Sequence, residues 1–172
     1  MATSKRRNPL GRHEVKPLDA RAARVAALDA LARRDHASED LRRKLLEKGY
    51  DVAVVAPLLD ALRAEKLLDD RRYTENFVAY HAARGHGPVR VRAELRRRGL
   101  EGGLVEECIE AYPDWIVHLR RAQQKKFGAT LPKSFDDRQR RARFLGYCGF
   151  TSAQIRTALG FDIDLDSDTN DI

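Results

Sequence analysis

The chain has 172 residues, 34% of them charged, with only 11 glycines, 6 prolines and a formal net charge of +7. No apolar run approaches the ~18 residues a spanning helix needs, and the basic start lacks the apolar stretch of a secretory signal, which excludes a membrane-spanning or exported class. Two cysteines, Cys108 and Cys148, without CxxC spacing, read as reduced thiols of a cytoplasmic protein rather than a disulfide frame.

Residues 1–16 mix Lys5, Arg6, Arg7, Arg12 and Lys16 with Pro9 and Gly11 and show no periodicity, which predicts a disordered basic arm. Residues 17–64 read as a three-helix unit. Its first helix, Leu18 to Arg34, carries Val25, Leu28 and Leu31 at helical spacing. Ser38 is the expected N-cap of the second, with Glu39 and Asp40 in the first turn and Leu41, Leu45 and Leu46 as its apolar side. Gly49 stops it. Asp51 caps a third helix with Val55, Leu58, Leu59 and Leu62, in which Pro57 demands a late start or a kink.

Residues 65–112 form the next unit, linked through EKLLDD. Tyr73, Phe77, Val78 and His81 mark its first helix, and Gly85-His86-Gly87-Pro88 breaks it. Pro88 suits the first turn of a helix at 89–98 carrying Val91 and Leu95. The third helix spans about Leu104 to Tyr112, its start weakened by Gly102-Gly103. In residues 113–160, Trp115, Leu119 and Ala122 share a face, and residues 128–132 form a loop. Ser134-x-x-Asp137 caps a helix carrying Phe144 and Leu145, and Thr151-x-x-Gln154 is a capping box before Ile155 and Leu159. Residues 161–172 hold five aspartates and no basic residue, so the preceding 160 residues carry +12; this acidic tail is expected to be disordered.

A period of fifty runs through the chain. Leu45, Leu95 and Leu145 coincide, as do Gly49, Gly99 and Gly149, and each glycine is followed by an apolar residue: Tyr50, Leu100 or Phe150. A glycine at C′ ends a helix in the left-handed conformation and lets the next residue pack on C3, the leucine. Three copies at one period predict an all-α chain of three tandem three-helix repeats, of helix-turn-helix type, in a curved elongated array.

Catalytic and metal-binding patterns are absent. There is no GxxxxGK[ST], GxGxxG, GxSxG or HExxH. The alternating aspartates lack the glycine and terminal acid of a calcium loop. His81 and His86 straddle a glycine break and read as a loop pair. Neither enzyme activity, cofactor nor metal is expected. What remains is charge: Arg42, Arg43 and Lys44; Arg90, Arg92, Arg96, Arg97 and Arg98; Arg120 and Arg121; Lys125 and Lys126; Arg138, Arg140, Arg141 and Arg143. Recurrence of the clusters at 42–44, 90–98 and 138–143 on the second helix of each unit predicts a basic face at 41–48, 89–98 and 135–148 for a polyanionic partner. No such helix offers the Asn, Gln or Ser mixture that reads base edges.

These residues resemble the RecX family of bacterial recombination regulators. The resemblance runs over about residues 20–160 through LRRKLL to Gly49-Tyr50, LLDDRRY at 67–73, Gly85-x-Gly87-Pro88 to Glu94-Leu95, Lys125-Lys126-Phe127-Gly128, and Arg143-Phe144-Leu145 to Gly149-Phe150. It implies a cytoplasmic protein, expected as a monomer, that binds the RecA recombinase filament in its groove on single-stranded DNA. The implied consequence is inhibition of ATPase, strand exchange and co-protease activity, and so control of DNA repair and the SOS response. The rival is a basic helical protein that binds single- or double-stranded DNA on its own.

Overall fold

The computed structural model describes residues 19–160; the basic arm and the acidic tail lie outside them. Among the described residues every regular element is a helix: α1 (Ala20–Arg33), α2 (Ser38–Glu47), α3 (Val52–Ala64), α4 (Asp70–Ala83), α5 (Pro88–Arg97), α6 (Gly103–Ala111), α7 (Trp115–Phe127), α8 (Phe135–Tyr147) and α9 (Ser152–Leu159). They form two compact units that part between Asp69 and Asp70, so α1–α3 make one unit and α4–α9 together make the other.

In the first unit the leucines and valines of α2 and α3 (Leu41, Leu45, Val54, Val55, Leu58, Leu59 and Leu62) close over α1. The face of α1 that meets them is not the one its larger residues mark. Val25 is 54% exposed and Leu28 36%, while Ala23, Ala27 and Ala30 are buried. Spacing of four and three puts those methyls on one stripe, and their small size lets the backbone of α1 approach its neighbours where valine and leucine could not. Leu31 packs partly against the same core. Ser38 is likewise displaced from its expected role. Ala37 is the N-cap, and Ser38 is the first helical residue, buried, its hydroxyl accepting from Arg63 Nε at 3.3 Å. Asp51 caps α3 through Ala53 N at 2.7 Å, and the helix runs from Val52 past Pro57 to Ala64, so there is no late start. The proline is exposed.

The three glycine stops close alike. Tyr50 N–H donates to Leu45 O at 3.2 Å, Leu100 to Leu95 at 3.1 Å and Phe150 to Leu145 at 3.1 Å. The glycine amides donate to Leu46, Arg96 and Gly146 carbonyls at 2.8–2.9 Å. This is the paired 6→1 and 5→2 pattern of a Schellman stop, with φ of +88° at Gly49, +78° at Gly99 and +92° at Gly149. Leu45, Leu95 and Leu145 are at most 1% exposed, so each stop also anchors a core.

In the second unit α5 and α8 meet backbone to backbone. Gly87 N–H donates to Cys148 O at 2.8 Å and Val89 N–H to Gly149 O at 3.0 Å, so the end of one helix supplies acceptors for the start of another. The Ser134 hydroxyl caps α8 through Asp137 N at 3.2 Å, Thr151 and Gln154 complete a capping box on α9, and α6 begins at Gly103 with no side-chain cap.

Arg141 departs from the expected basic face: it is 4% exposed. Its guanidinium donates to Thr130 O at 2.6 Å and Asp137 Oδ2 at 2.9 Å, and sits 5.2 Å from the centre of the Phe127 ring. The arginine thus ties the loop before α8 to the helix itself. Breaking a buried, hydrogen-bonded ion pair is costly. Arg141→Ala is expected to lower unfolding free energy by about 2–3 kcal/mol, measured by urea denaturation, against about 0.5 kcal/mol or less for an exposed arginine.

Candidate nucleic-acid and partner interface

Most of the helical arginines singled out by the sequence are already paired with carboxylates. In α2, Arg42 forks onto Glu39 through two bonds of 2.7 Å, and Arg43 reaches Asp40 at 2.6 Å. In α5, Arg90 reaches Glu94 at 3.3 Å, Arg92 forks onto Glu106 at 2.7 and 2.6 Å, and Arg96 lies 3.7 Å from Glu101. These pairs hold Glu39 and Glu106 below the ordinary carboxylate range, chiefly through the hydrogen bond from each arginine. Neutralised forks of this kind offer a polyanion less than their charge count suggests, although partly exposed pairs exchange partners at little cost. Lys44 and Arg97 have no carboxylate partner among the described residues. Arg138 is half-buried at the start of α8.

Lys125 and Lys126 behave differently. Both are exposed in the last turn of α7, also without a carboxylate partner among the described residues. They form one wall of a cleft in the second unit with a volume of about 650 Å³. Arg84, Gly85 and His86 of the α4–α5 turn, Arg90 of α5, and His118, Arg121 and Ala122 of α7 complete the rim, while Ala83, Phe144 and Cys148 add apolar surface. Five Arg and Lys side chains line it and no carboxylate does. Its walls therefore raise a positive potential focused by low-dielectric surroundings.

Burial, and after it the neighbouring Arg90 charge, push His86 below its ordinary pKa. Burial pushes the Cys148 thiol up, which keeps it protonated rather than nucleophilic.

Of the residues the sequence singled out, the cleft unites Arg90, Arg121, Lys125 and Lys126. It leaves aside Arg92, Arg96 and Arg97 of α5, and Arg138 and Arg141 of α8; Arg42, Arg43 and Lys44 belong to the other unit. Arg84 is added. The one sequence signal for this wall lies on α7, where His118, Arg121, Ala122 and Lys125 fall at i, i+3, i+4 and i+7.

Family models place these elements. The model for the first three-helix domain of RecX matches residues 23–62, and that for the second matches residues 69–109. The regulatory protein RecX of Halorhodospira halophila is 44% identical over 138 residues, which cover 80% of this chain and 86% of the relative. The chain belongs to the RecX family.

The RecX of Pseudomonas entomophila is 39% identical over 135 residues, covering 78% of this chain and 87% of that one. The fold is shared more widely. The crystal structure of RecX from Lactobacillus salivarius superimposes with a TM-score of 0.75 at 18% identity, over 83% of this chain and 95% of its own. A second crystal structure, of a regulatory protein RecX, gives 0.68 at 20% identity over 82% and 71%. The two matched family domains coincide with α1–α3 and α4–α6. RecX relatives are named as regulatory proteins, and no helix among the described residues is long and apolar enough to cross a membrane.

Proposed function

We propose that this RecX protein binds the RecA recombinase filament on single-stranded DNA and lowers its ATPase, strand-exchange and co-protease activities, and through them DNA repair and the SOS response. The observation that carries the reading is the acid-free cleft, whose Arg84, Arg90, Arg121, Lys125 and Lys126 converge from three helical segments on one concavity. A filament groove lined by phosphates and acidic side chains is the complement of such a surface. Phosphate contacts by Lys and Arg release counterions, so binding weakens steeply with salt and carries no base preference. The proposed organisation is three tandem repeats (17–64, 65–112 and 113–160), the basic residues of α5 extending the contact beyond the cleft.

The test is the ATPase rate of RecA on single-stranded DNA as the protein is titrated in. Inhibition well below one copy per recombinase, with DNA in excess, is expected. Tight binding to bare DNA with no inhibition would instead favour a stand-alone DNA-binding helical protein.

A further inference from the structure

The chain sets His81 and His86 on either side of a glycine break, and the break itself brings them together. At the end of α4 the His86 amide donates to the His81 carbonyl at 3.1 Å, and Gly85 N–H donates to Ala82 O at 2.9 Å. This tight turn folds one imidazole back over the other, and the two Nδ1 atoms stand 3.0 Å apart. Glu94 arrives from α5 with Oε2 4.0 Å from His81 Nδ1. The three side chains are each partly buried, and one donor atom from each lies within 4.8 Å of the others.

We propose that His81, His86 and Glu94 bind a transition-metal dication of the zinc, cobalt or nickel class. The donor chemistry selects that class: imidazole nitrogens suit Zn, Ni and Co, whereas calcium and magnesium take oxygen. With Zn–N bonds of about 2.0–2.1 Å, two nitrogens of a tetrahedral set stand about 3.3 Å apart. A few tenths of an ångström therefore separate the present spacing from a ligating one. Two imidazoles and one carboxylate leave a position open, the pattern of a site that also takes water or a ligand oxygen.

The carboxylate is oriented for the role. Glu94 Oε1 accepts from Arg90 Nε at 3.3 Å, which leaves Oε2 toward the histidines. Outer partners of this kind fix the angle of a ligand and are part of a working site. Phe77 packs on His81 with ring centroids 4.0 Å apart, and Tyr80 meets it edge-on at 5.2 Å, so the imidazole is held on two sides. Burial pushes both histidines below their ordinary pKa. Without a metal, the facing Nδ1 atoms are compatible only when one donates a proton to the other.

Arg84, Arg90 and Arg98 oppose a dication here; Arg98 Nη1 lies 3.9 Å from Glu94 Oε2. Their charge sets a site of moderate affinity rather than a tight structural one. They also suggest what the open position faces: His86 lines the basic cleft, so a bound metal would stand at its margin, where an anionic oxygen could complete the coordination. Metal binding itself does not depend on the function proposed above.

The test is titration of the full chain with Co²⁺, read by its visible d–d absorption, and with Zn²⁺, read by calorimetry. One saturable site per chain is expected. His86→Ala and Glu94→Gln are each expected to weaken it at least about tenfold, while His13→Ala and Cys148→Ser leave it unchanged. His86 lies in a turn and Glu94→Gln keeps the shape of the side chain, so the test stands even if His81→Ala fails to fold. No saturable binding at millimolar metal, binding unaltered by both site variants, or loss on His13→Ala overturns the proposal.

Discussion

Gly87→Ala is expected to cost about 3–5 kcal/mol of unfolding free energy, a large share of the roughly 5–15 kcal/mol that keeps a domain folded. Backbone torsion is not the reason, because Gly87 has φ −80°, open to any residue. Proximity is. A Cβ at Gly87 would lie 2.2 Å from the carbonyl carbon and oxygen of Gly149 and from Phe150 N, all backbone atoms with no side-chain freedom to yield. Relief means parting the start of α5 from the end of α8, which breaks the Gly87–Cys148 and Val89–Gly149 hydrogen bonds. Each is worth about 0.5–1.5 kcal/mol, and leaving buried groups unpaired adds about 1–3. Gly103→Ala is the contrast, since nothing lies within 4 Å of its Cβ position and it opens α6. That change should be neutral or stabilise by up to about 1 kcal/mol. Urea midpoints followed by circular dichroism separate the two, and a Gly87→Ala protein within 1 kcal/mol of wild type would contradict the close approach.

The largest functional effect is expected from reversing Arg121, Lys125 and Lys126 together to glutamate. Binding to RecA filaments on single-stranded DNA should fall about 100-fold or more at 0.15 M salt, and the salt slope should flatten, because up to three counterion-releasing contacts are replaced by repulsion. Arg42→Glu supplies the comparison. Its charge already faces Glu39 in a two-bond fork, and its loss removes little free positive potential. Equal effects from the two variants, or none from the triple one, would move the interface elsewhere. The melting temperature of each variant checks that folding is intact; glutamates in the last turn of α7 oppose the helix dipole by about 0.3–1 kcal/mol each.

The helix stops were legible because they are local. Six residues from Leu45 to Tyr50 contain the whole Schellman signal, and its return at Leu95 and Leu145 betrays the repeat. The face of α1 was not, since Val25 and Leu28, which are exposed, and the stripe Ala23, Ala27 and Ala30 both obey helical spacing; of the larger residues only Leu31 meets the core. Hydrophobicity favours the first set; close packing chose the second. Charge counting along single helices located Arg92 and Arg42 as easily as Lys125, but only the fold shows that the first two face Glu106 and Glu39. Arg84 escaped notice because the cleft is assembled from segments between residues 83 and 148. The histidine pair shows the same limit in reverse: a break that reads as separation is the turn that joins them.

The hydrogen bonds between α5 and α8 also set an order of events at the ribosome. Helices α1, α2 and α3 pack on one another before residue 70, so their common core can close as soon as they emerge. The amides of Gly87 and Val89 have to wait for carbonyls made some sixty residues later. At about 5–20 residues per second of synthesis, that wait lasts roughly 3–12 seconds. During it the start of α5 lacks the acceptors that Cys148 and Gly149 will bring. The chain is thus born in two instalments, and the half that carries the cleft matures last.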